Sequence, residues 1–136
     1  MMTVNIRNFA AIDHTIVDIL WSKGYRTNED ILDNTATAEA RNRLAGDVGV
    51  PQDLLLTLAR RADLARIKGI GNLYAELLEH AQVYSVQDLA QQEVEDLYEK
   101  VIKLNESLRV TRRMPKISNV KMWVETARAL EPVVMN

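Results

Sequence analysis

The chain has 136 residues, 47% of them hydrophobic, and carries 17 Lys and Arg against 19 Asp and Glu for a formal net charge of -2. That length and apolar content suffice for one sizeable core, or two small ones in contact, and exclude a disordered chain. The absence of cysteine excludes disulfides, thiol nucleophiles and thiolate metal sites, and the acidic balance excludes a protein that coats nucleic acid by bulk charge.

No apolar run approaches the roughly 18 residues of a membrane span, and residues 1–18 lack the basic start and apolar stretch of a signal peptide. The expectation is a cytoplasmic chain with no membrane partner. Proline occurs only at Pro51, Pro115 and Pro132, and alternating strand patterns are almost absent, so periodicity predicts an all-α fold of about nine or ten helices.

In chain order, Ile16, Val17, Ile19 and Leu20 form the apolar face of a helix that Gly24 stops. Thr27-Asn28-Glu29-Asp30 predicts a capping box opening a short helix through Leu32. Pro51 suits the first turn of a helix whose inner face is Leu54, Leu55, Leu58 and Ala62. Ser85-Val86-Gln87-Asp88 repeats the cap at Thr27, Glu93 to Leu104 reads as a longer amphipathic helix, and Ser118 or Asn119 caps a last helix through Leu130 before Glu131-Pro132.

A shift of 58 positions sets Ile16 to Leu32 on Tyr74 to Ala90 without a gap. Only Leu20 with Leu78 and Asp30 with Asp88 are identical, yet Ile19 meets Leu77, Thr27 meets Ser85 and Ile31 meets Leu89, so the apolar face and the cap fall in register together. The same shift sets Phe9-Ala10-Ala11-Ile12-Asp13 on Ile67-Lys68-Gly69-Ile70-Gly71 and Leu44 on Ile102. An insertion of about eight residues near Arg109 to Lys116 then brings Leu54 to Leu64 opposite Val120 to Leu130. The reading is a duplication: a worn first unit at residues 1–61 and a second at 62–136, packed as one compact body.

The stretch from Leu64 to Leu78 resembles a helix-hairpin-helix motif, with Gly69-Ile70-Gly71 at its turn, Leu64, Ile67, Ile70 and Leu78 between the helices, and Ala75 small enough for their close approach. Gly69 and Gly71 supply backbone angles that a side chain makes costly. They also leave N–H groups exposed where the positive end of the next helix dipole lies, a place for an anion. The resemblance implies that this anion is a nucleic-acid phosphate held without reading bases. Candidate contacts are Lys68, Gly69, Ile70, Gly71 and Asn72. Glu76 and Glu79 oppose this reading, and in the first unit Ala11 and Asp13 stand where the glycines would be.

The whole layout resembles a family of paired helix-hairpin-helix units, found in cyanobacteria and other bacteria, that is catalogued as a domain of unknown function. The resemblance rests on Asp63 to Gly71, Tyr74-Ala75, Val86 to Ala90, Arg112-Arg113-Met114-Pro115 and Trp123-Val124, and it implies a fold without an activity.

Between Lys100 and Lys121 lie seven basic residues, Lys100, Lys103, Arg109, Arg112, Arg113, Lys116 and Lys121, against the single acid Glu106. They form either a patch for phosphates or an acidic protein face, or a solvated connection between helices. Arg60, Arg61, Arg66 and Lys68 lead into the hairpin and either frame its anion or pair with nearby acids such as Asp63. Trp21, which meets Glu79 in the repeat, and Leu73 are candidate protein-contact residues; alternatively Trp21 packs between the two units. His14 and His80 lack metal spacing, and the carboxylates have no paired histidine or nucleophile, so neither a metal, a cofactor nor an enzyme is expected. The expected function is a protein adaptor, through another protein or self-association, followed by sequence-independent DNA or RNA backbone binding.

Overall fold

A computed structural model describes residues 3–9, 12–131 and 133–135. Among these the regular structure is helical: a 3-10 helix at Ile6–Asn8, then α1 (His14–Ser22), α2 (Asn28–Thr35), α3 (Ala38–Val48), α4 (Gln52–Ala65), α5 (Gly71–His80), α6 (Val86–Ala90), α7 (Val94–Leu108) and α8 (Ile117–Ala129). No strand forms among the described residues; one isolated antiparallel bridge joins Asn5 to Thr27. The chain is all-α.

Local chemistry sets most of the boundaries. The Thr27 hydroxyl accepts from the Asp30 amide at 3.1 Å, and the Asp30 carboxylate accepts in return from the amides of Arg26 and Thr27. The Arg26 amide, ahead of the Thr27 groups, holds the Asp30 carboxyl below the ordinary range against the opposing effect of burial. Ser85 and Asp88 reproduce this arrangement at α6: the Ser85 hydroxyl accepts from the Asp88 amide, and the Asp88 carboxylate from the Tyr84 amide, both at 3.0 Å. Thr37 caps α3 and Gly49 closes it in the left-handed region, signals the periodicity alone passes over.

Several ends differ from expectation. Pro51 is the N-cap of α4 rather than its first turn. Helix α2 runs past Leu32 to Thr35, and α7 runs a further turn to Leu108. At α8 the cap position is Lys116, and Asn119 serves it from inside, its side chain accepting from the Lys116 amide at 2.9 Å. Pro132 lies outside the described residues.

Two apolar clusters form. Ile6, Phe9, Val17, Leu20, Ile31, Leu44, Leu55 and Leu58 are prominent in the first, and Ile67, Ile70, Leu78, Leu89, Val101, Val120 and Trp123 in the second. Helix α4 serves both: Ala65 belongs to the first and its neighbour Leu64 to the second. It packs against α2 and α3 on one side and against α5 and α6 on the other.

Two corners share a bond: Tyr25 N donates to Leu20 O at 3.0 Å after α1, and Val83 N to Leu78 O at 2.9 Å after α5. Buried positions can be compared in the same way: Leu44 and Val48 with Val101 and Asn105, one residue short of the expected pairing with Ile102, and Leu55, Leu58, Ala59 and Ala62 with Val120, Trp123, Val124 and Ala127. The turn expected at Phe9 to Asp13 includes Ala10 and Ala11, which lie outside the described residues.

The C-terminal segment runs back along α4. Arg66 donates to Glu131 O at 3.4 Å, Val134 is buried in the first cluster, and Met135 N donates to Ala36 O at 2.7 Å. Arg41, itself buried, donates to Thr35 O at 2.8 Å and Met135 O at 2.6 Å.

Candidate anion-binding cleft

Helix α4 ends at Ala65 and α5 begins at Gly71, so the backbone turns sharply between them. Gly69 and Gly71 have φ of 91° and 59°, a region that side chains make costly. Ile67 and Ile70 are buried under the turn, while Lys68 and Gly69 face outward. A Cβ on Gly69 would sit 3.3 Å from Trp123 Nε1, so this turn rests directly on the indole of α8.

The first amides of α5 have no intrahelical partner by geometry, and its N-cap residue Ile70 has no side-chain acceptor to offer. Helix α1 is different. There Asp13 is the N-cap, and its carboxylate accepts from the Thr15 amide at 2.8 Å. Helix α1 thus carries an anion of its own at its start, whereas the start of α5 has no side-chain cap.

Across from the turn lies the α7–α8 connection. Asn105, buried in α7, donates to Thr111 O at 2.9 Å and accepts from Thr111 N at 3.0 Å, which fixes the start of the connection. Tyr74 of α5 packs on Trp123 with ring centroids 5.1 Å apart, and its hydroxyl donates to Arg113 O at 2.6 Å. The result is an open cleft of about 220 Å³ lined by Gly69, Tyr74, Arg113, Met114, Lys116 and Asn119.

The cleft joins two features that are distant in sequence, the glycine turn and part of the basic stretch. Lys68, Arg113 and Lys116 are exposed there or beside it. Lys100 and Lys103 lie on the exposed face of α7 and Arg109 is its left-handed C-cap, and none of the three lines the cleft; nor does Arg112. Asn72 is diverted: its side chain donates to Asn8 O, tying the turn to the N-terminal segment.

Arg66 is committed elsewhere. Its Nε donates to Asp63 at 2.6 Å, and Asp63 is buried with its second oxygen unpartnered among the described residues. Burial pushes the Asp63 carboxyl up, against the opposing pull of the Arg66 guanidinium. Glu79, expected to repel phosphate, forms an ion pair with Arg61 that neutralises much of its charge; Glu76 remains half-exposed on α5.

Trp21 is half-buried against the first cluster, with the guanidinium of Arg7 4.1 Å and that of Arg26 5.1 Å from its ring centroid. Leu73 is 41% exposed, in the first turn of α5. Asn105 and Tyr74, which shape the cleft, are the residues that sequence reasoning missed; a buried Asn near the end of an amphipathic helix is the signal that could have found the first. Among the described residues there is no cluster of His, Asp or Glu able to hold a metal, and no helix long and apolar enough to cross a membrane.

The fold and cleft together define an all-helical protein with a glycine turn set against a basic connection. The chain belongs to the family described as "Domain of unknown function (DUF4332)", which it matches over residues 11–130. No curated protein and no solved structure matches it.

Proposed function

We propose that the chain is a non-enzymatic binding module built from two diverged helix-hairpin-helix units, and that the second unit grips the phosphate backbone of a nucleic acid without reading its bases. The observation that carries this reading is the cleft itself: Gly69 of the turn and the exposed cations Arg113 and Lys116 line one space, with exposed Lys68 next to Gly69 and the uncapped start of α5 two residues on. It moves ahead of the adaptor reading because the Arg61–Glu79 pair removes much of the repulsion that counted against phosphate. With few cations in place, affinity is modest and salt-sensitive.

The adaptor reading is favoured by exposed apolar groups, Met114 in the cleft at 36% and Leu73 on α5 at 41% exposure. One experiment separates the two. Fluorescence anisotropy with duplex and single-stranded DNA should show affinity falling linearly on a log–log salt plot, with Lys68→Gln, Arg113→Gln and Lys116→Gln each reducing the slope by about one. Lys103→Gln, on the outer face of α7, should leave it unchanged. No binding at low salt, together with a mass above the monomer in light scattering that Leu73→Ala abolishes, transfers the surface to the adaptor.

A further inference from the structure

A second hollow opens between α1, α4 and α5, with a volume of about 280 Å³. Its lining is largely aliphatic. Ile12 and Ile16, half-buried against the first cluster, meet buried Leu58 and Leu54, which is 37% exposed. Water held over such a surface is displaced favourably by an apolar chain.

Charge decides what else that chain carries. Among the described residues no lysine or arginine lines the hollow, and its two charged groups are the carboxylates of Asp13 and Glu79. Arg61 pairs with Glu79. Asp13 accepts from the Thr15 amide through one oxygen and forms no ion pair among the described residues. Glu76 stands one turn before Glu79 on the same side of α5, half-exposed and likewise without an ion pair. That side is turned toward the N-terminal segment, because Asn72, one turn earlier again, donates to Asn8 O.

We propose that this hollow binds a free aliphatic amine, with its alkyl chain against Ile12, Ile16, Leu54 and Leu58 and its ammonium group toward Asp13 and Glu76. The volume lies near the lower end of small-molecule sites, which span roughly 300–1,000 Å³, so the ligand is short. An anionic head would meet only carboxylates, so fatty acids and phosphates are rejected. The hollow shares no lining residue with the hairpin cleft, and the proposal stands apart from the phosphate reading.

The test is titration of the intact, isotopically labelled protein with hexylammonium, followed by amide shifts in NMR. Saturable shifts are expected at Ile12 to Ile16 and Leu54 to Leu58. Butylammonium should bind about fifteenfold more weakly, about fourfold for each methylene lost, and hexanoate should not bind. Asp13→Asn, which keeps the cap of α1, and Glu76→Gln should each weaken hexylammonium about threefold and leave 1-hexanol unchanged. Leu54→Ser should narrow the gap between the hexyl and butyl amines. Shifts that do not saturate or that scatter over the surface overturn the proposal. So does 1-hexanol binding as tightly as hexylammonium.

Discussion

Gly69 and Gly71 look interchangeable in the sequence, and the surroundings separate them. At Gly71, with φ of 59°, nothing stands within 4 Å of where a Cβ would go. An alanine there meets only the conformational cost of the left-handed region, about 1 kcal/mol. At Gly69, with φ of 91°, the same carbon meets Trp123 Nε1 at 3.3 Å, so the indole must also give way. Gly69→Ala is therefore expected to lower the unfolding free energy by about 2 kcal/mol and Gly71→Ala by about half of that. Urea unfolding measures both, and equal losses would show that the turn does not rest on α8.

At the scale of elements, the caps at Thr27 and Ser85 argue that similar sequence signals fold similar corners. Thr27 and Ser85 each satisfy an amide three residues on, and Asp30 and Asp88 reach back. Thr27→Ala and Ser85→Ala are each expected to cost about 1 kcal/mol. Hydrogen exchange should show faster opening of α2 in one variant and of α6 in the other; loss confined to neither helix would mean that the caps are incidental.

What the sequence made legible was local: the caps, the apolar faces and the glycine turn. What it hid was set by packing across the chain. The shift of Leu44 from Ile102 to Val101 depends on how α7 rolls against α5 and α8. The diversion of Asn72 to Asn8 depends on a contact between residues far apart in sequence. Of the basic stretch, only Arg113 and Lys116 line the cleft, because Asn105 and Tyr74 hold the connection in one shape, which charge counting cannot register.

Considered whole, the molecule has two cores and one spine. Because α4 contributes to both, and Leu64 and Ala65 are adjacent, losing order in one core removes packing from the other. The two tryptophans report on them separately, Trp21 against the first core and Trp123 inside the second. In Trp21→Phe and Trp123→Phe variants, the remaining indole should unfold at the same urea midpoint as the helical signal. Val134→Asp, which forces a charge into the first core, should lower both midpoints together, for a loss of about 2 kcal/mol or more of unfolding free energy. A Trp123 transition unmoved by Val134→Asp would divide the molecule in two.

The clasp of Asn105 on Thr111, closed at both the amide and the carbonyl, bears on speed as well as on shape. A segment already holding its pose before any encounter has no disorder left to lose on contact, so the ordering penalty is met while the protein folds. Arg113, two residues on, would then meet the proposed anion with no backbone rearrangement to wait for.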